Sequence, residues 1–530
     1  MMLHTPRSTR GMVVAPHHLA SEAGLCVLRE GGNAIEAMIA AVATVAVVYP
    51  HMNGIGGDSF WLIKESAKPP VGIDACGRAG QAVDLAFFRD RGCETIPARG
   101  PLAAITVAGA VSGWQAALEI GRAAGGCMSL ARLFEDAIHH ARHGVPVTRS
   151  QHDNTCQTKQ DLEEVPGFAG HYLPAGQPPA VGALFRQPAL AETLERLADA
   201  GLGDFYGGAV AADIAADLAG AGSPLGAEDL ARHSAAYVEP LRLETHGATV
   251  YNLPPPTQGV ASLMILGVFE RLVCAEAESY AFVHGLVEAT KQAFGVRDAH
   301  VTDPAFMAAQ AADFLAPTAL DDMARRIDDA QALPWSGESD AGDTVWLGAI
   351  DGEGRAVSCI QSLYWEFGSG VVLPRTGITW QNRGTTFDLV ADSRNSLSPG
   401  RKPFHTIQPP LAVFADGRTM VYGTMGGDGQ PQTQAAIFTR YAAFGQELQA
   451  AVTAPRWLLG RTWGAPKINL RVEDRFGREV VERLRSAGHD VELVAAFDPV
   501  MGHAGAIVRR PSGVFEGAAD PRSDGGVAAF

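Results

Sequence analysis

The chain has no run of basic residues and no surplus of them. Its 42 Lys and Arg stand against 58 Asp and Glu, a formal charge of −16. A surface that acidic repels phosphate backbones, which argues against nucleic acid as a partner. Cysteine is sparse and scattered: Cys26, Cys76, Cys93, Cys127, Cys156, Cys274 and Cys359, an odd number with no CxxC. This speaks against a disulfide framework and for reduced thiols in a cytoplasmic setting. The opening MMLHTPRSTRGMVVAPHHLAS lacks the apolar core of a secretory signal. The longest apolar stretch, Ala37 to Tyr49, falls short of the roughly 20 residues a membrane span takes, so it is expected to be a buried helix. Long disordered tracts are missing too. With 47% apolar and 19% charged residues, the composition suits an enzyme with a large core.

The elements that are present begin with residues 18–30, whose apolar spacing is helical and which Gly31-Gly32 ends. Asn33 is an N-cap candidate for the next helix, with Glu36 as its box partner. That helix is apolar all round, so it belongs inside the protein, and it stops at Pro50. A Gly-rich turn then leads into a strand. Two helices are predicted over 108–145, more over 188–240, and one from about Ser279 to Arg297.

Residues 328–343 (DDAQALPWSGESDAGD) hold acids, Pro, Ser and Gly but no Lys or Arg, which predicts an exposed, flexible joint. Two β-rich runs follow, Thr344–Ile350 and Ala356–Leu363, joined by Asp351-Gly352-Glu353-Gly354, a hairpin signal. Both runs are apolar on both faces, so this hairpin should be covered on both sides. The layout fits either a processing site or a plain interdomain linker.

Several motifs together resemble the gamma-glutamyltransferase family of N-terminal nucleophile (Ntn) hydrolases. They are HHLASEAGLCVLREGGNAIEAMIAA, YPHMNGIGGDSFWLI, ITVAGAVSGW, LPPPTQG, GDTVWLGAIDGEGRAVSCIQSLYWEFGSGVV, TGITWQN, MGGDGQPQ and ADPRSDGG, in the family's order along nearly the whole chain. The resemblance implies an α+β fold, a four-layer αββα sandwich made as one chain. It implies self-cleavage between Asp343 and Thr344, giving a large region, 1–343, and a small one, 344–530, that share one core. No metal or organic cofactor is implied. The expected partners are a small amide substrate, the two fragments themselves, and a second copy in a homodimer of heterodimers.

The implied chemistry is physically sound. A Thr hydroxyl is a poor nucleophile until a base takes its proton. Cleavage gives Thr344 an α-amine, with a reference pKa of ~7.7–8.0, to act as that base. By resemblance, the N–H groups of Gly426 and Gly427 stabilise the oxyanion, each worth about 2.7–4 kcal/mol. Ser362 stands where the family has a second Thr, and keeps a hydroxyl to orient Thr344.

The departures from the family point to the substrate. Where it places a carboxylate-binding Arg, this chain has Cys76, and the nearby Arg78 is shifted by two. The family's Asn becomes Tyr364, its Gln becomes Arg383, its amine-binding Asp becomes Thr386, and its Ser-Ser pair becomes His405-Thr406. Losing the Asp removes the partner of a substrate ammonium, and Arg383 adds positive charge. The pocket reads as rebuilt for a small anion without an ammonium group. It resembles a divergent branch of the family that includes oxamate amidohydrolases. Oxamate carries one carboxylate beside its amide, which one Arg and a few hydroxyls can hold. Acylases of glutaryl side chains, and gamma-glutamyl hydrolases or transferases, are the alternatives. Two other classes were weighed. His139 and His143 share a helix face at zinc-ligand spacing beside His140, but no HExxH or Cys cluster supports a metal there. A scaffold without chemistry is disfavoured because Thr344 and both glycines are kept.

Overall fold

The computed structural model describes residues 4–66, 68–335, 343–461 and 468–530, with Asp343 described in its backbone alone. Two seven-stranded sheets form the body. Their strands in chain order are β1 Arg7–Ser8, β2 Gly11–Ala15, β3 Asp58–Lys64, β4 Val71–Ala75, β5 Ala236–Val238, β6 Leu241–Thr245, β7 Ala248–Asn252, β8 Asp343–Asp351, β9 Ala356–Tyr364, β10 Leu411–Phe414, β11 Thr419–Thr424, β12 Ala504–Arg509, β13 Phe515–Ala519 and β14 Gly526–Ala529. One sheet runs β14-β2-β8-β9-β3-β4-β5 and the other β1-β13-β12-β11-β10-β7-β6. The helices used below are α1 His18–Arg29, α2 Ala34–Val48, α3 Ala110–Ala123, α4 Leu130–His143, α5 Gly259–Phe269, α6 Tyr280–His300 and α7 Gly429–Ala442.

Alternation along the strands assigns the layers. On β8, Val345, Leu347 and Ala349 join a core with α2, α3 and α4, while Trp346 and Ile350 join a second core with Phe60, Leu62, Val421 and Ile507. The odd positions of β8 therefore face helices, and the even ones face the other sheet. The outer face of that other sheet packs Val250, Ala412, Tyr422 and Ala506 against α5, α6 and α7. The order of layers is thus α, β, β, α, as the family resemblance implied.

α2 is buried along its whole length. Its start follows the expected chemistry: Asn33 Oδ1 accepts from the N–H of Ile35 and Glu36 at 3.0 Å, and Glu36 Oε2 accepts from Asn33 N–H at 2.9 Å. Such a cap is worth about 1 kcal/mol. Glu36 is itself buried, and its Oε1 is satisfied by Met128 N–H at 2.7 Å. The hairpin is also as expected, β8 pairing antiparallel with β9.

Of the joint predicted over 328–343, residues 336–342 lie outside the described ones. The described part is held down. Tyr280 Oη donates to Asp329 O at 2.9 Å, Lys291 Nζ to Leu333 O at 2.7 Å, and Leu333 N to Glu288 Oε2 at 2.9 Å. The acidic composition gave no hint that polar groups on α6 would satisfy this backbone.

Candidate active site

The register of β8 is regular from Val345 to Ile350 and breaks between Asp343 and Val345, where Asp343 pairs with Tyr364 but Val345 with Gln361. Thr344 lies in this bulge, and bulges re-aim side chains next to sites. Its residue is 1% exposed, and its hydroxyl donates to Ser362 Oγ at 3.3 Å. Ser362 Oγ in turn accepts from Tyr364 N–H at 2.8 Å. Tyr364 takes φ +84°, a conformation costly for an aromatic residue, and this turns the chain out of the ladder just past Ser362.

The even positions of β8 from Trp346 on face the second sheet. Across that interface a Cβ on Gly348 would meet Val421 at 3.0 Å, and one on Gly423 would meet Trp346 at 2.2 Å. Beyond Gly423 the same strand ends at Thr424 and leads into the Gly426-Gly427 turn. Gly426 has φ +115° and Gly427 φ +49°, so only glycine adopts this turn without strain. Among the described residues no acceptor takes the N–H of either glycine. Buried N–H groups left in this way are rare and favour an incoming oxyanion. α7 begins two residues later, and its N-terminal dipole adds to the same effect.

The rest of the predicted pocket gathers on one side. Arg383 is 1% exposed; its guanidinium stacks on the Tyr364 ring at 3.8 Å, and Nη1 donates to Thr406 Oγ1 at 3.3 Å. Thr386 does not offer its hydroxyl to this space: Oγ1 donates to Arg383 O at 3.0 Å and Phe404 O at 3.3 Å, tying two loops together. Arg78 lies apart from these contacts. Its side chain is 54% exposed and donates to Gly400 O at 3.0 Å, because the chain after β4 turns it toward solvent.

His405 is fully buried, against the edge of Phe60, with Nε2 3.1 Å from Asp58 Oδ2 in a poorly aligned contact. Burial above all, with the Arg383 charge, pushes its pKa down to about 4, so the ring is neutral at neutral pH. Burial works to raise the Asp58 pKa, but contact with His405, the Gly77 N–H and the Arg383 charge hold it below its usual value. Asp58 Oδ1 accepts from Gly77 N and Gly109 N at 3.0 Å and from Gln381 Nε2 at 3.1 Å. Asp58 pairs in register with Ser362, so Thr344, Ser362 and Asp58 stand on three adjacent strands.

Several contributors escaped the sequence reading. Gln258 Nε2 donates to Thr406 O at 2.6 Å and Gly427 O at 3.0 Å. Arg297 Nη1 holds Gln258 Oε1 at 2.8 Å and Asp428 Oδ1 at 2.7 Å. Arg99 Nη1 binds Glu366 O at 2.6 Å and Gly368 O at 2.5 Å, bracing the segment after Tyr364. Gln258, Asp428 and Asp58 lie inside the motifs LPPPTQG, MGGDGQPQ and GGDSF, and that was the available signal. His139 and His143 are exposed, and neither is in the two clusters of mutually close ligand-type side chains among the described residues.

Comparison with known proteins gives the family. A gamma-glutamyltranspeptidase family model matches residues 20–530. The chain is 54% identical to an oxamate amidohydrolase proenzyme of Klebsiella pneumoniae over 99% of both chains. It is 40% identical to a glutathione hydrolase-like YwrD proenzyme of Bacillus subtilis over 98% of both. Among solved structures, a cephalosporin acylase from Bacillus halodurans is similar with a TM-score of 0.92 at 32% identity, over 100% of this chain and 97% of that one.

Proposed function

Because the chain belongs to the gamma-glutamyltranspeptidase family, we propose that it is a self-processing amidohydrolase of a small carboxylate-bearing amide, with oxamate as the model substrate. The observation that carries the reading is the buried Thr344 hydroxyl, donated to Ser362 at a strand bulge. Thr344 Oγ1 adds to the Asp343 carbonyl as the Asp343–Thr344 C–N bond breaks, and water hydrolyses the resulting ester, leaving fragments 1–343 and 344–530. The freed α-amine of Thr344 takes the hydroxyl proton as Oγ1 attacks the amide carbon. Gly426 and Gly427 N–H groups receive the oxyanion, the α-ammonium passes its proton to the leaving nitrogen so that ammonia departs, and water hydrolyses the acyl ester. Ser362 orients the nucleophile. Arg383, backed by Tyr364 and Thr406, holds the substrate carboxylate, while His405 lines the pocket. Thr386 acts through the loop it ties.

The pocket supports this substrate class over a gamma-glutamyl one. Arg383 adds positive charge there, Thr386 stands where the family's amine-binding Asp would, and the carboxylate of Asp58 is engaged by Gly77, Gly109, Gln381 and His405. The seven unpaired thiols suit a reducing compartment such as the cytoplasm.

Mass spectrometry of wild type and Thr344→Ala is the first test, followed by ammonia release from oxamate against hydrolysis of a gamma-glutamyl anilide. Wild type in two pieces, mutant intact and oxamate turned over faster is the expected result. An uncut wild type sinks the mechanism, and a faster anilide moves the substrate to the gamma-glutamyl class.

A further inference from the structure

Beside the nucleophile row lies a second group of reactive side chains. Asp58, Cys76 and His405 come from the start of β3, the end of β4 and the loop before β10. One ligand-type atom from each lies within 4.8 Å of the others, and all three residues are buried. Their polar capacity is not used up. Asp58 Oδ2 and both ring nitrogens of His405 lack a well-formed hydrogen bond. Asp58 Oδ2 and His405 Nε2 meet only each other, 3.1 Å apart, and groups placed in this way favour a ligand that engages both.

The other buried cluster, His284, Glu288 and His489, is already closed. His284 spends its nitrogens on His489 Nε2 and Asp328 O, both at 2.9 Å, and Lys291 Nζ sits 2.7 Å from Glu288 Oε1.

The geometry points to a zinc-class divalent cation bound by Asp58 Oδ2, Cys76 Sγ and His405. Thiolate, imidazole and carboxylate together suit zinc better than magnesium or calcium, which prefer all-oxygen cages. Tetrahedral zinc separates its ligand atoms by about 3.5 Å, a small adjustment from the arrangement present. The second shell is in place: Gly77, Gly109 and Gln381 fix Asp58 through Oδ1, leaving Oδ2 aimed at His405. Binding displaces the thiol proton, so the metal takes up two anionic ligands and one neutral one. Asp58 is already an anion, so binding takes the cluster from one negative charge to none, a gain of one positive charge beside Arg383. Three protein ligands leave the fourth position open.

This reading bears on substrate choice, and there it rests on the proposed function. Cys76 stands where the family resemblance expects the carboxylate-binding Arg, and His405 is a second departure from the family pattern. The two departures meet around Asp58. A bound cation restores positive charge at the place from which the Arg is missing.

The test uses cobalt as the probe, on chelator-treated wild type and on Thr344→Ala. Both should show a thiolate-to-cobalt charge-transfer band that saturates near one equivalent, with proton release, and zinc should displace it. Cys76→Ser should abolish the band. Cys156→Ser should keep it, although it removes an exposed thiol 3.6 Å from His152 Nε2. His405→Ala should weaken cobalt binding at least tenfold. No band in wild type overturns the site, as does a band that Cys76→Ser leaves unchanged. Because Thr344→Ala is measured in parallel, failure of the metal site and failure of the Thr mechanism are read separately.

Discussion

The guanidinium of Arg383 lies over the ring of Tyr364, 3.8 Å from its centroid, and its Nη1 donates to Thr406 Oγ1. The stack holds a planar fork in a water-poor pocket, where a charge-assisted bond to a carboxylate is worth about 1.5–3 kcal/mol. Arg383→Lys keeps the charge but loses the fork and the stack. Steady-state kinetics on oxamate should show KM rising about tenfold to a hundredfold, with kcat changed much less. An unchanged KM would remove Arg383 from the substrate.

Ser362 should act through Thr344, not on the substrate. Ser362→Ala removes the acceptor of the Thr344 hydroxyl, while Ser362→Thr keeps it. Self-cleavage followed over time on gels should slow at least tenfold in the first variant and recover in the second. Equal rates in both would make this hydrogen bond irrelevant to processing.

Gly427→Ala should damage the oxyanion site without unfolding the protein. At φ +49° an alanine is strained by about 1–2 kcal/mol, and the N–H it carries is displaced. Losing one donor at such a site costs about 10²–10³ in kcat. The thermal midpoint should fall by a few degrees while kcat falls by about two orders of magnitude.

Arg297 holds Asp428 beneath that same turn at 2.7 Å, and both side chains are buried. Arg297→Met leaves a carboxylate buried without its main partner, a change that costs about 3–5 kcal/mol. Calorimetry should show a large drop in midpoint. Arg297→Met combined with Asp428→Asn should regain part of it, and no regain would disprove the coupling.

Acid should destabilise the protein early. Burial pushes the pKa of His17 and His489 down to about 3, and those of His171, His233, His405 and His503 down to about 4. Between these values and the unfolded value near 6.5, the unfolded chain binds more protons than the folded one. Stability is therefore complete above about pH 6.5 and is lost as pH falls toward 4. The midpoint should decline through that window, and His503→Asn should flatten the slope. A flat profile down to pH 4.5 would contradict the buried neutral state.

What could be read from the chain was local. The Asn33–Glu36 cap, the helix apolar on every side and the Asp351–Gly354 hairpin each declare themselves within a few residues. The Thr344 position became legible because one strand carries it at a recognisable place in an ordered set of motifs. What stayed hidden depends on distant partners: Arg297 meets Asp428 across 131 positions, and no periodicity announces such a pair. Arg78 and Cys76 are near in sequence, yet Cys76 is buried while Arg78 is turned toward solvent.

The strand order has a consequence for maturation. β2, β3, β4 and β5 come from the region before Thr344, while β14, β8 and β9 come from the region after it, and the two sets interleave within one sheet. While the chain is whole, these strands find each other as parts of one molecule. Once the Asp343–Thr344 bond is cut, the same assembly requires two molecules to meet, and the entropy of a single tethered chain no longer helps. Cleavage is thus a ratchet. If the chain is cut as proposed, the two fragments, once denatured and diluted, have lost the single-chain route by which they were assembled.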